Sequence, residues 1–146
     1  MADPVDDPAL ASEMADLATE AAEAQGLDFS VASLEGLEVT MQATREDEEA
    51  IRRLGAYVGE VLCRNATGAR WARAPQRRRP GTPGIAFGKW IADPFDRVRR
   101  AASGGTHPDD TLVNFARELV TYSADPTEET AAALGWRTKR ASRRGA

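Results

Sequence analysis

Ile51–Arg73, IRRLGAYVGEVLCRNATGARWAR, is the stretch whose reading decides the fold. At 100° per residue, Ile51, Leu54, Gly55, Val58, Val61 and Leu62 fall inside an arc of about 120°, the apolar stripe of a core-facing helix. Glu48, Glu49, Arg53, Glu60 and Arg64 point elsewhere. The pairs Glu48–Arg52, Glu49–Arg53 and Glu60–Arg64 stand four apart in the favourable order, each contributing about 0.2–0.5 kcal/mol. Thr44, with Asp47 three residues on, reads as a capping box, and Gly68 as a left-handed stop. Beyond the stop, Trp71 alternates with Arg70 and Arg73, which is the start of a strand.

Gly55 and Gly59 lie inside this helix, where each costs about 1 kcal/mol relative to alanine. Such a cost calls for a compensating contact. Tight packing against the following hairpin is the expectation. A membrane-type helix seam would need a long apolar segment that the chain lacks.

Upstream, Asp7-Pro8 has the form of a cap followed by a first-turn proline. Leu10, Met14, Leu17, Ala18 and Ala21 follow at helical spacing, with Glu13, Asp16, Glu20 and Glu23 on the outer face and Gly26 as the end. Ser30 or Ser33 caps a second helix with Leu34, Leu37 and Met41 inward. Downstream, the connector PQRRRPGTP projects into solvent. Gly84–Ile91 then reads as one strand, with Ile85, Phe87 and Ile91 on one side and Trp90 on the other.

Asp93-Pro94 opens a helix that turns Phe95, Val98 and Ala102 inward. A further helix begins in 106–110 and buries Leu112, Phe115, Leu119 and Tyr122. Asp125-Pro126 starts a last short one. The expected fold class is α+β, five to six helices packed on a small antiparallel hairpin or sheet. Residues 1–135 are expected to form one domain with an acidic helical first part, and 136–146 a basic flexible tail.

The net charge of −4 hides an asymmetry. Residues 1–50 carry 14 acidic side chains and one basic one, whereas 51–146 carry 9 acidic and 18 basic. Either the halves face each other or each meets a different partner; self-contact costs less entropy and is preferred. No run of apolar residues is long enough to cross a membrane. MADPVDDPAL has no secretory pattern, and the lone Cys63 suits a reducing compartment. The expected location is cytoplasmic.

The positions Leu54, Gly55, Tyr57, Gly59, Glu60 and Trp71, followed by Pro94, Phe95 and Val98, carry a resemblance. The chain is similar, over roughly residues 28–120, to a group of small bacterial domains of unknown function. In that group a Leu-Gly-x-Tyr-x-Gly-Glu helix leads into a tryptophan strand and then a Pro-Phe-x-x-Val-basic helix. The alanine-rich composition resembles that of high-GC actinobacterial proteins. The resemblance implies an architecture and no activity, and the arginine- and proline-rich hairpin tip departs from it.

Chemistry is sparse. His107 sits at a helix start, and Cys63 lies near a helix C-terminus, where the dipole disfavours a thiolate. Glu60 is expected to pair with Arg64 rather than act as a base. Asn65-Ala66-Thr67 matches a glycosylation sequon without a secretory context. No nucleophile–base–orienter set assembles, and no metal or phosphate motif is present; no catalytic residue, cofactor or metal site is expected.

The expected function is a non-enzymatic protein-interaction or accessory module, including the immunity type that neutralises a toxin by covering it. The alternative is weak nucleic-acid binding through Arg77, Arg78 and Arg79 and the tail residues Arg137, Lys139, Arg140, Arg143 and Arg144. Trp71 or Trp90 would then stack on bases.

Overall fold

Asp7 sets the start of the first helix by accepting a hydrogen bond from the Leu10 N–H through Oδ1, at 3.0 Å. Pro8 follows at the first helical position, where its missing donor costs nothing. Described in a computed structural model are residues 4–41, 46–74, 81–87, 90–103 and 111–134. Among them the chain order is β1 (Val5–Asp6), α1 (Pro8–Gln25), α2 (Ser33–Met41), α3 (Glu48–Asn65), β2 (Arg70–Arg73), β3 (Pro83–Phe87), β4 (Trp90–Ala92), α4 (Pro94–Ala102), α5 (Leu112–Ala124) and α6 (Glu128–Ala133). The fold is α+β: six helices packed with a four-stranded antiparallel sheet of order β1-β2-β3-β4.

Helix α3 is the axis of the core. It packs against α1, α4, α5 and the sheet, and this company explains a difference from the 120° stripe. Ala56, Tyr57 and Gly59 lie outside that arc yet are buried with Ile51, Leu54, Gly55, Val58, Val61 and Leu62. A helix covered on several sides buries more than one face, and periodicity alone registers only the most apolar one.

Helix ends are set by local chemistry. Asp47, not Thr44, is the N-cap of α3: its side chain accepts from the Ala50 N–H at 3.1 Å. Thr44 lies outside the described residues. The helix ends at Asn65 with Ala66 as an extended C-cap, and Gly68 takes a left-handed φ of 76° in the turn beyond. Asp93 caps α4 by accepting from the Phe95 and Asp96 N–H groups. Thr111 and Thr127 cap α5 and α6, so Asp125 is not the cap of the last helix; it accepts instead from the Thr130 hydroxyl at 3.0 Å. The Glu38 carboxylate on α2 also accepts from the Leu112 N–H, tying α2 to the start of α5.

Two strand expectations are corrected. The stretch 84–91 is two strands rather than one, because the chain reverses between the paired residues Phe87 and Trp90. Reversal changes which side chains share a face. Partners in register project alike, so Trp90 joins Phe87, and Ile91 pairs with Ala86 on the other side. Both Phe87 and Trp90 meet the Tyr122 ring edge-on, with centroids 5.9 and 6.2 Å away. The N-terminal segment also contributes β1, two residues that pair with Arg73 and Ala72. A two-residue strand carries no periodicity to read.

The two oppositely charged parts of the chain meet each other. Arg70 pairs with Asp6 at 2.6 Å and Arg73 with Asp7 at 2.8 Å. Arg52 pairs with Glu13, Arg53 with Glu20 at 3.8 Å, and Arg99 with Glu48 at 3.1 Å. Each of these contacts joins an acid from the first fifty residues to an arginine from the rest. No helix among the described residues is long and apolar enough to cross a membrane.

Candidate functional site

Of the motif residues, Gly55, Gly59, Glu60 and Trp71 form one packing device with Phe95, whereas Tyr57 serves the loop at Phe29 and Leu54 is buried in the core. A Cβ placed on Gly59 would lie 2.2 Å from Trp71 Cζ2, and one on Gly55 would lie 2.2 Å from Phe95 Cδ1. The two missing side chains are thus the seats of two aromatic rings, whose centroids are 6.0 Å apart. Gly59 receives the hairpin, as its spacing predicts, whereas Gly55 receives α4. Glu60 accepts from the Trp71 indole N–H at 3.3 Å; it does not pair with Arg64.

Arg64 instead places its guanidinium 3.7 Å from the centre of the Phe29 ring. Phe29 has a left-handed φ of 62°, a conformation that costs a bulky residue energy unless neighbours hold it. They do. Its N–H donates to the Tyr57 hydroxyl at 2.9 Å, its carbonyl accepts from Asn65 Nδ2 at 3.0 Å, and its ring lies 5.0 Å from that of Tyr57. The Tyr57 hydroxyl also meets Ser33 Oγ at 2.6 Å, which fixes the entry to α2. Asn65 further donates to the Val61 carbonyl. Its amide is therefore committed within the fold, which works against the sequon.

The thiol of Cys63 is half-buried on α3, and burial, reinforced by the Glu60 carboxylate, pushes its pKa up to about 12. It is a poor nucleophile at neutral pH. Trp71 is 5% exposed, so it offers no face for base stacking. His107, Arg77, Arg78, Arg79, Arg137, Lys139, Arg140, Arg143 and Arg144 lie outside the described residues. No group of three or more His, Cys, Asp or Glu side chains suited to a metal ion occurs among the described residues.

What the fold does assemble is a cleft of about 510 Å³ between α1, α3, the β2–β3 hairpin and α4. Its floor is apolar: Leu10 and Met14 from α1, Phe95 from α4, and Pro83 from β3. Its rim carries both charges. Glu13 with Arg52 bridges α1 to α3, Glu48 with Arg99 bridges α3 to α4, and Arg73 and Asp93 stand on the sheet side. Arg73 is itself held by Asp7 and by the Gly81 carbonyl, at 2.8 and 3.0 Å. The Asp7 carboxyl is pulled below the usual carboxylate range, first by this bond to Arg73 and next by its capping bond from Leu10. These lining residues are spread over most of the chain, so no linear spacing signals them.

Beside the cleft, α1 presents the outer face expected for it, with Glu13, Asp16, Glu20 and Glu23 all exposed. Glu13 and Glu20 are partly neutralised by Arg52 and Arg53. A smaller cleft of about 270 Å³, floored by Phe87, Phe115 and Leu119, opens between β4, α4 and α5. Arg97 lies over the Phe115 ring there, 4.7 Å from its centre.

No protein-family model, curated protein or solved structure matches the chain.

Proposed function

We propose that this protein is a non-enzymatic interaction module that acts by covering part of another protein; neutralisation of a toxin is one form of that activity. The observation that carries the proposal is the exposed acidic outer face of α1, lying beside a cleft with an apolar floor. Stable protein interfaces combine an apolar centre with a polar margin, and this side of the molecule offers both. Complementary charge steers the encounter, so the matching partner surface is basic.

The test is capture on the immobilised full chain from a lysate of the source organism at low salt, compared with an Asp16→Lys/Glu23→Lys variant. The expected outcome is a basic protein retained by the unaltered chain, released by salt and absent from the variant. Equal retention by both proteins, or retention of nothing at low salt, overturns the proposal.

Nucleic-acid binding is the second reading, resting on the basic residues at 77–79 and in the tail. The burial of Trp71 removes one of its stacking surfaces, and the carboxylates of α1 oppose a polyanion.

A further inference from the structure

We infer that the cleft between α1, α3, the β2–β3 hairpin and α4 is a docking site for a partner polypeptide. The occupant is a segment presenting one large apolar side chain flanked by residues of both charges. This rests on the interaction-module reading and assigns it a location and a ligand chemistry.

The floor determines the anchor. Leu10, Met14 and Phe95 are almost wholly buried, yet they line the bottom of an opening of about 510 Å³. That size lies in the range of binding pockets and holds an aromatic or long aliphatic side chain with its backbone. Anchors of this kind dominate interface energetics when a polar margin keeps water out.

The rim determines the flanks. A uniform polyanion such as a nucleic acid brings its charges against Glu13, Glu48 and Asp93. A uniform polycation meets Arg52, Arg73 and Arg99. Only a segment carrying both signs complements a rim that itself carries both. Donor capacity remains for it: Arg52 and Arg99 each engage a carboxylate through one terminal nitrogen, whereas a guanidinium has five N–H groups. The ion pairs also link α1 to α3 and α3 to α4. The walls are therefore held in place before any ligand arrives, which lowers the ordering cost of binding.

The experiment is selection of a random dodecapeptide library displayed on phage against the purified full chain. The enriched sequences are then synthesised and titrated by fluorescence anisotropy. The expected result is peptides sharing one Trp, Phe, Leu or Met between acidic and basic residues. Two variants locate them: Thr82→Trp, which fills the mouth from an exposed position, and Arg52→Glu/Arg99→Glu, which reverses two of the three rim arginines. Each is expected to weaken binding about tenfold or more while circular dichroism shows an intact fold.

Peptides that bind both folded variants as tightly as the unaltered chain overturn the inference, as does a selection that enriches nothing. If binding survives Thr82→Trp but is lost in Asp16→Lys/Glu23→Lys, the cleft assignment fails and the interaction reading stands. Oligothymidylate binding that competes with the peptides and is lost in Thr82→Trp overturns the choice of a polypeptide.

Discussion

The indole of Trp71 occupies the space that a side chain at position 59 would fill, with only 2.2 Å between Cζ2 and the place of a Gly59 Cβ. Helix propensity alone says that alanine at 59 stabilises by about 1 kcal/mol. The contact reverses the sign, because Trp71 is 5% exposed and hemmed in by the core. Gly59→Ala is expected to destabilise by about 1–3 kcal/mol, the usual cost of overpacking, read from urea unfolding. Trp71→Ala is expected to cost about 3–5 kcal/mol. Combined with Gly59→Ala it should cost less than the sum, since the clash is then gone. Additive losses would contradict this contact.

Tyr57 supports the loop from Gly26 to Ser33 through one buried oxygen. Tyr57→Phe leaves the Phe29 N–H and Ser33 Oγ without that partner, an expected loss of about 1–3 kcal/mol. Because Phe29 keeps its left-handed backbone only under these contacts, hydrogen exchange should accelerate at residues 28–33 before it does in α3. Uniform acceleration across the chain would place the role of Tyr57 elsewhere.

Asp7 joins two elements, capping α1 with one carboxylate oxygen and binding Arg73 with the other. Its pKa is lowered in the folded chain, so the folded state favours the ionised form. That contribution is complete above the ordinary carboxylate range and is lost as pH falls through the folded value. Asp7→Asn keeps a capping oxygen but not the charge. Its melting temperature should fall below that of the unaltered chain at pH 7, and the gap should narrow as pH falls below the ordinary carboxylate range. A gap independent of pH would remove Arg73 from the explanation.

Cys63 titrates in the opposite sense. A thiol at about 12 is protonated in the folded chain at pH 8, whereas an unfolded thiol ionises near 8.5. Iodoacetamide should react at least about a hundredfold more slowly with the folded chain than with the chain in denaturant. Stability should also decline as pH rises past about 8.5, because the unfolded state then loses its proton first. The decline should be shallower in Cys63→Ala. Equal alkylation rates in both states would show a thiol open to solvent.

Apart from Asp7–Arg73, which is partly buried, the ion pairs described between the first fifty residues and the rest are exposed, with Glu13 and Arg52 side chains about half accessible. Glu13→Ala is accordingly expected to cost no more than about 1 kcal/mol, and thermal melts should register it less at high salt. Their value lies in setting which elements meet. A loss well above this in urea titrations would mean that Glu13 is part of a stronger network.

Local rules determined much of this molecule. An apolar repeat of 3.6 residues marked α3, Asp7-Pro8 and Asp93-Pro94 marked two helix starts, and paired glycines announced close approach, because each depends on neighbours within a few positions. Charge imbalance favoured contact between the acidic first part and the arginines that follow over separate partners for each. Tertiary structure alone decided the rest: that Gly55 seats Phe95 while Gly59 seats Trp71, that Glu60 serves the indole, and that β3 and β4 pair antiparallel and put Trp90 beside Phe87. It alone built the cleft, whose floor and rim come from residues up to 89 positions apart, Leu10 to Arg99. A sequence states spacing along the chain, whereas contact across it depends on how the elements pack.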